Sequence, residues 1–77
     1  MVRKGDKVRQ ISGYQIGTEV GKVYEVVAGN GDAQLTISGR EVGKVCTDGE
    51  FYIRDDDGDF RYQRFPNDAF TGWELVA

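Results

Sequence analysis

Few residues of this 77-residue chain have the chemistry to act on a ligand, and their spacing excludes most reactions. There is no histidine, so the commonest general base and metal ligand is missing, and the single cysteine, Cys46, has no imidazole to activate it. Cys46 follows Val45 at a strand end and reads as a small packed hydrophobe. Ser12 and Ser38 each sit in an Ile-Ser-Gly turn, where a hydroxyl bonding to nearby backbone accounts for them. Gly17-x-x-x-Gly21-Lys22-Val23 is no phosphate loop, because that motif needs one more residue between its glycines, a Ser or Thr after the Lys, and a helix to open. The remaining candidate is the run Asp55-Asp56-Asp57-Gly58-Asp59. With Gly58 at the invariant glycine of a calcium loop, Ile53 falls at the first ligand position and Arg64 where a bidentate Glu is required, so the motif fails. The run reads as a solvated hairpin turn, tolerant of charge reversal at Asp55, Asp56 and Asp57. No catalytic, cofactor-binding or metal-ligating set is therefore assigned, and a non-enzymatic protein needing no cofactor is expected.

The positions of charge say more than the net charge of −3. Residues 1–22 carry Arg3, Lys4, Lys7, Arg9 and Lys22 against Asp6 and Glu19, a balance of +3. Residues 41–60 carry seven acidic residues against Lys44 and Arg54, a balance of −5. Either the two ends neutralise each other on folding, or the particle is dipolar and steers a charged partner. No apolar run is long enough to span a membrane and one cysteine cannot form an internal disulfide, so the expected setting is the reducing cytoplasm.

Short β elements must position these groups, since eleven glycines, one proline and many β-branched and aromatic residues leave no amphipathic helix. Strands are expected over residues 7–11, 21–27, 33–37, 50–54, 60–65 and 73–76. Asn30-Gly31 suggests a type I′ turn, and Asp57-Gly58 a second hairpin. Alternation predicts Ala33, Leu35 and Ile37 on one buried face, and Phe51, Ile53, Trp73 and Leu75 as inward positions. Tyr52, on the opposite face of its strand, and Tyr14, in the loop after the first strand, are the expected surface tyrosines. Glu-Val-Gly-Lys-Val occurs at residues 19–23 and again at 41–45, which suggests one loop-into-strand geometry used twice. A single all-β domain over residues 1–77 is expected, a small barrel of five to six short antiparallel strands.

The stretch from Gly5 to Val26 resembles a KOW-type motif: Gly5-Asp6 before the first strand, Gly13 after it, then Gly17-x-x-x-Gly21-x-Val23 entering the second. That resemblance implies an SH3-like barrel of the kind found in ribosomal proteins and elongation factors. Beyond that stretch the chain, with its closing strand Trp73-Glu74-Leu75-Val76, is similar in a general way to small phage and bacterial proteins, which implies an accessory protein of a phage or mobile element acting on a host enzyme or transcription component. Two readings follow. In the first, Tyr14, Tyr52, Asp55, Asp56, Asp57 and Asp59 dock on a larger protein, the acidic hairpin imitating nucleic acid. In the second, Arg3, Lys4, Lys7, Arg9 and Lys22 contact nucleic acid. The family usually carries basic residues around the loop glycine, where this chain has Ile16 and Thr18-Glu19, and an apolar residue in place of Gln10. Those departures and a pI of about 4.8 favour the protein partner. A monomer or weak oligomer with no membrane association is expected.

Overall fold

A computed structural model describes all of residues 1–77 and is built from seven strands: β1 Lys7–Gly13, β2 Val23–Ala28, β3 Ala33–Leu35, β4 Glu41–Val45, β5 Glu50–Arg54, β6 Phe60–Arg64 and β7 Thr71–Val76. The protein is all-β and entirely antiparallel, and no helix is long and apolar enough to cross a membrane. Five strands form one sheet in the order β6-β5-β2-β1-β7, while β3 and β4 form a separate two-stranded ribbon.

Alternation sets the core. Val8, Tyr24, Val26, Phe51, Ile53 and Trp73 project from β1, β2, β5 and β7 into one cluster, joined by Val2 from the N-terminal segment. The Trp73 ring meets Phe51 and Tyr24 edge-on, with centroids 5.7 and 6.0 Å away. Its indole N–H donates to Gln63 Oε1 at 3.0 Å and Thr71 Oγ1 at 2.9 Å, and Gln63 Oε1 also accepts from Gln15 Nε2 at 3.2 Å. Gln63 thereby ties β6, β7 and the β1–β2 loop together at one end of the core.

The sheet curls but does not close as the expected barrel. Its outer strands β6 and β7 share no ladder: backbone pairing between the two ends of the sheet is limited to the Asn67–Gly72 bridge just after β6 and to Trp73 N donating to Pro66 O at 2.8 Å. The ladder of β6 stops at Arg64 because Pro66 has no N–H to continue it. The segment 67–70 that follows is a bend closed by the Asn67–Gly72 bridge.

Four further readings change. Leu75 is 44% exposed although it stands opposite buried Val8, because β7 is an outer strand with no further strand beside it. Ile37 is exposed, since β3 ends at Leu35 and its turn carries Ile37 outward. The two Glu-Val-Gly-Lys-Val segments do not share a geometry: Gly21 takes φ +90° in a turn before β2, whereas Gly43 lies within β4 with no positive φ. The turn at Asn30-Gly31 has positive φ at Gly31 alone, so it is not type I′.

Candidate partner-docking groove

On β5, Phe51 and Ile53 face the main core and Tyr52 faces the other way, as alternation requires. That other face is not solvent. The β3–β4 ribbon folds over it, and Tyr52 packs with Ala28 and Cys46 against Val27 and Leu35, leaving only 6% of Tyr52 exposed. The expectation of a surface Tyr52 is thus corrected: a ribbon whose strand β4 is exposed throughout gave no sign in the sequence that it would cover a neighbour. Cys46 is buried in this second cluster, and burial pushes its thiol up, away from the reactive thiolate.

The ribbon leaves a groove of about 290 Å³ between itself and the β5–β6 hairpin. Its apolar wall is made by Leu35, Ile37, Tyr52, Phe60 and Tyr62, and Asp55, Asp59 and Arg61 complete the lining. Tyr52 and Tyr62 are cross-strand partners, their rings 5.7 Å apart and inclined at 68°. Phe60 N donates to Ile37 O at 2.9 Å and pins the ribbon to β6. Gly39 lies so close to the Phe60 ring that a Cβ there would come within 2.5 Å of it, which explains a glycine at that turn. A second cavity of similar volume, lined in part by Lys4, Asp32 and Glu41, shares Leu35 and Phe60 with the first.

The acidic hairpin divides into an inner and an outer half. Asp55 is inner: its side chain is 0% exposed, Oδ1 accepts from the N–H groups of Asp57 and Asp59 at 3.0 and 2.9 Å, and Oδ2 accepts from Arg61 Nε at 3.0 Å. Asp56 is half-inner, paired with Lys22 Nζ and with the Tyr24 hydroxyl, while its N–H donates to Gly17 O at 2.8 Å. The hydrogen bond from Lys22 draws the Asp56 carboxyl below its usual range. Asp57 and Asp59 are exposed and have no ion-pair partner. The expected solvated turn is therefore corrected for Asp55, and charge reversal there would break the hairpin's internal bonds. Arg61 pairs with the hairpin, whereas Arg64 pairs with Asp68 at 3.8 Å.

Tyr14 is 78% exposed as expected, and its N–H donates to Phe70 O at 3.0 Å. It does not line the groove, although Gly17, three residues on, packs against Asp55 and Arg61. The groove residues Phe60, Tyr62, Leu35 and Ile37 were missed as site residues. The alternation Phe60-Arg61-Tyr62 was visible, but what faced it was not.

Of the five basic candidates, Arg9 and Lys22 are held in ion pairs, while Arg3, Lys4 and Lys7 are exposed and have none. Arg9 pairs with Glu74 at 2.7 Å, Lys22 with Asp56, and Lys7 stands opposite Glu25 in the β1–β2 ladder. Lys4 lines the second cavity with Asp32 and Glu41, and Arg3 is exposed near Met1 and Asp6. Folding has brought the basic and acidic ends of the sequence together at Lys22 and Asp56. No protein-family model, curated protein or solved structure matches the chain.

Proposed function

We propose that the chain is a non-catalytic protein-interaction module that binds and modulates a larger protein carrying a basic surface. The observation that carries this reading is the unpaired carboxylate of Asp59 in the lining of an aromatic groove, with that of Asp57 two residues before it in the same turn. Rigid tyrosines beside exposed charge suit an interface, because the rings supply area at little entropic cost while the charges orient the partner. At about 290 Å³ the groove lies at the lower limit of small-molecule sites, and it is partly open to solvent. A partner surface shaped for phosphates would also accept the acidic hairpin, which fits an accessory protein of a phage or mobile element. The KOW-type likeness supports nucleic-acid contact as an alternative, but Arg9 and Lys22 are already paired to carboxylates.

Fluorescence anisotropy of a labelled basic peptide and of a labelled DNA duplex tests the choice. The peptide is expected to bind at about 150 mM salt, and the duplex no more tightly than the roughly 10⁻⁴–10⁻⁶ M of non-specific contact. Submicromolar duplex binding with no peptide binding would reverse the reading.

A further inference from the structure

The groove has a chemical asymmetry that narrows its occupant. Its aromatic wall includes the inclined Tyr52–Tyr62 pair and Phe60, and aromatic faces attract cations. The fold already uses this attraction: the Arg54 guanidinium lies 5.4 Å from the Phe60 centroid, and the Lys22 ammonium 5.5 Å from that of Tyr24. Of the three charged lining residues, Asp55 and Arg61 neutralise each other at 3.0 Å, and both Asp55 oxygens are already engaged. Asp59 has no such partner, so the lining keeps one uncompensated negative charge, with exposed Asp57 close by in the turn. Nearby, the Tyr62 hydroxyl donates to Glu50 Oε2 at 2.6 Å, which orients the ring and adds a carboxylate on its outer side.

We infer that the groove is a subsite for a cationic side chain, arginine or lysine, presented by an extended basic segment of the partner protein. The aliphatic stem of such a side chain covers Leu35 and Ile37 while its charged head meets the tyrosine rings and Asp59. This rests on the interaction-module reading and assigns it a specific contact.

The test uses the full chain, ¹⁵N-labelled, titrated with three short Gly/Ser peptides identical except that their spaced cationic positions carry arginine, lysine or norleucine. The arginine and lysine peptides are expected to shift the amides of Tyr52, Phe60 and Tyr62. The norleucine peptide, equal in apolar reach but uncharged, is expected to bind about tenfold or more weakly, as for loss of a desolvated cation–π contact. Asp59→Asn and Tyr62→Leu should each reduce affinity for the arginine peptide, and Tyr62→Phe, which keeps the ring, should restore most of what Tyr62→Leu loses. Equal binding of the norleucine peptide overturns the cationic assignment. Cationic peptides that bind but shift only residues outside the groove overturn the subsite and leave the module reading standing. Failure of every peptide to bind overturns both.

Discussion

Asp55→Asn separates the structural half of the acidic hairpin from the half available to a partner. The wild-type carboxylate accepts three hydrogen bonds, two from backbone N–H groups and one from Arg61, with its side chain wholly buried. Asparagine keeps the size but must turn an amide NH₂ toward either the two N–H groups or the guanidinium, so one end of the side chain opposes donor to donor. Removing one partner of a buried ion pair costs about 3–5 kcal/mol, but Arg61 is a third exposed and water relieves part of this, leaving about 2–3 kcal/mol. A domain of this size has roughly 3–5 kcal/mol of stability, so a fall in Tm of about 10–20 °C is expected. Urea and thermal melts followed by the fluorescence of buried Trp73 measure it directly. Asp57→Asn, at an exposed and unpaired position, should stay within about 0.5 kcal/mol of wild type. Equal melts for the two variants would refute the division of the hairpin.

Trp73→Ala removes the largest core side chain and its two hydrogen bonds, and a loss of about 3–5 kcal/mol should leave the chain unfolded at room temperature by circular dichroism. Gln10 is fully buried and its Oε1 has no protein partner, so Gln10→Met is expected to be neutral or stabilising by up to about 1 kcal/mol in urea melts; a loss above about 2 kcal/mol would show that the amide is needed. The Glu50 carboxyl is held down at about 2, first by the Thr47 N–H and then by the Tyr62 hydroxyl. Because that value lies below its usual 4.5, the stabilisation is complete above about 4.5 and is lost as pH falls toward 2; Glu50→Gln should flatten this limb in melts taken across the window. The Tyr62 phenol is pushed up to about 12, first by desolvation and then by Glu50, so its contribution is full below pH 10 and is lost as pH rises through about 12.

Strand periodicity placed Phe51, Ile53 and Trp73 in the core correctly, because alternation puts each on the face that packs against Val8, Tyr24 and Val26. It failed for Leu75 on the outer strand β7 and for β4, where Gly43 interrupts the pattern and no side chain is buried. A strand with no buried face leaves no periodic signal. The same omission hid the groove, since Tyr52 became a buried wall only when the ribbon was laid across it. Acidic residues in a turn usually solvate it, and the sequence does not distinguish an aspartate that solvates a turn from one that ties it together from within. Asp55 and Asp57 are chemically identical and two residues apart, and only the folded positions of Arg61 and of the turn's own N–H groups separate them.

In the proposed interaction Asp59 in the groove lining and Asp57 in the same turn supply the partner-docking charge, while Asp55 and Asp56 hold the hairpin in shape. Isothermal titration of the arginine peptide into wild type and into the Asp57→Asn/Asp59→Asn double variant, at low salt and at about 150 mM, tests it most directly. The double variant should keep the wild-type melt, bind markedly more weakly, and lose most of the salt dependence. A double variant that binds the peptide with wild-type affinity and salt dependence would contradict the account.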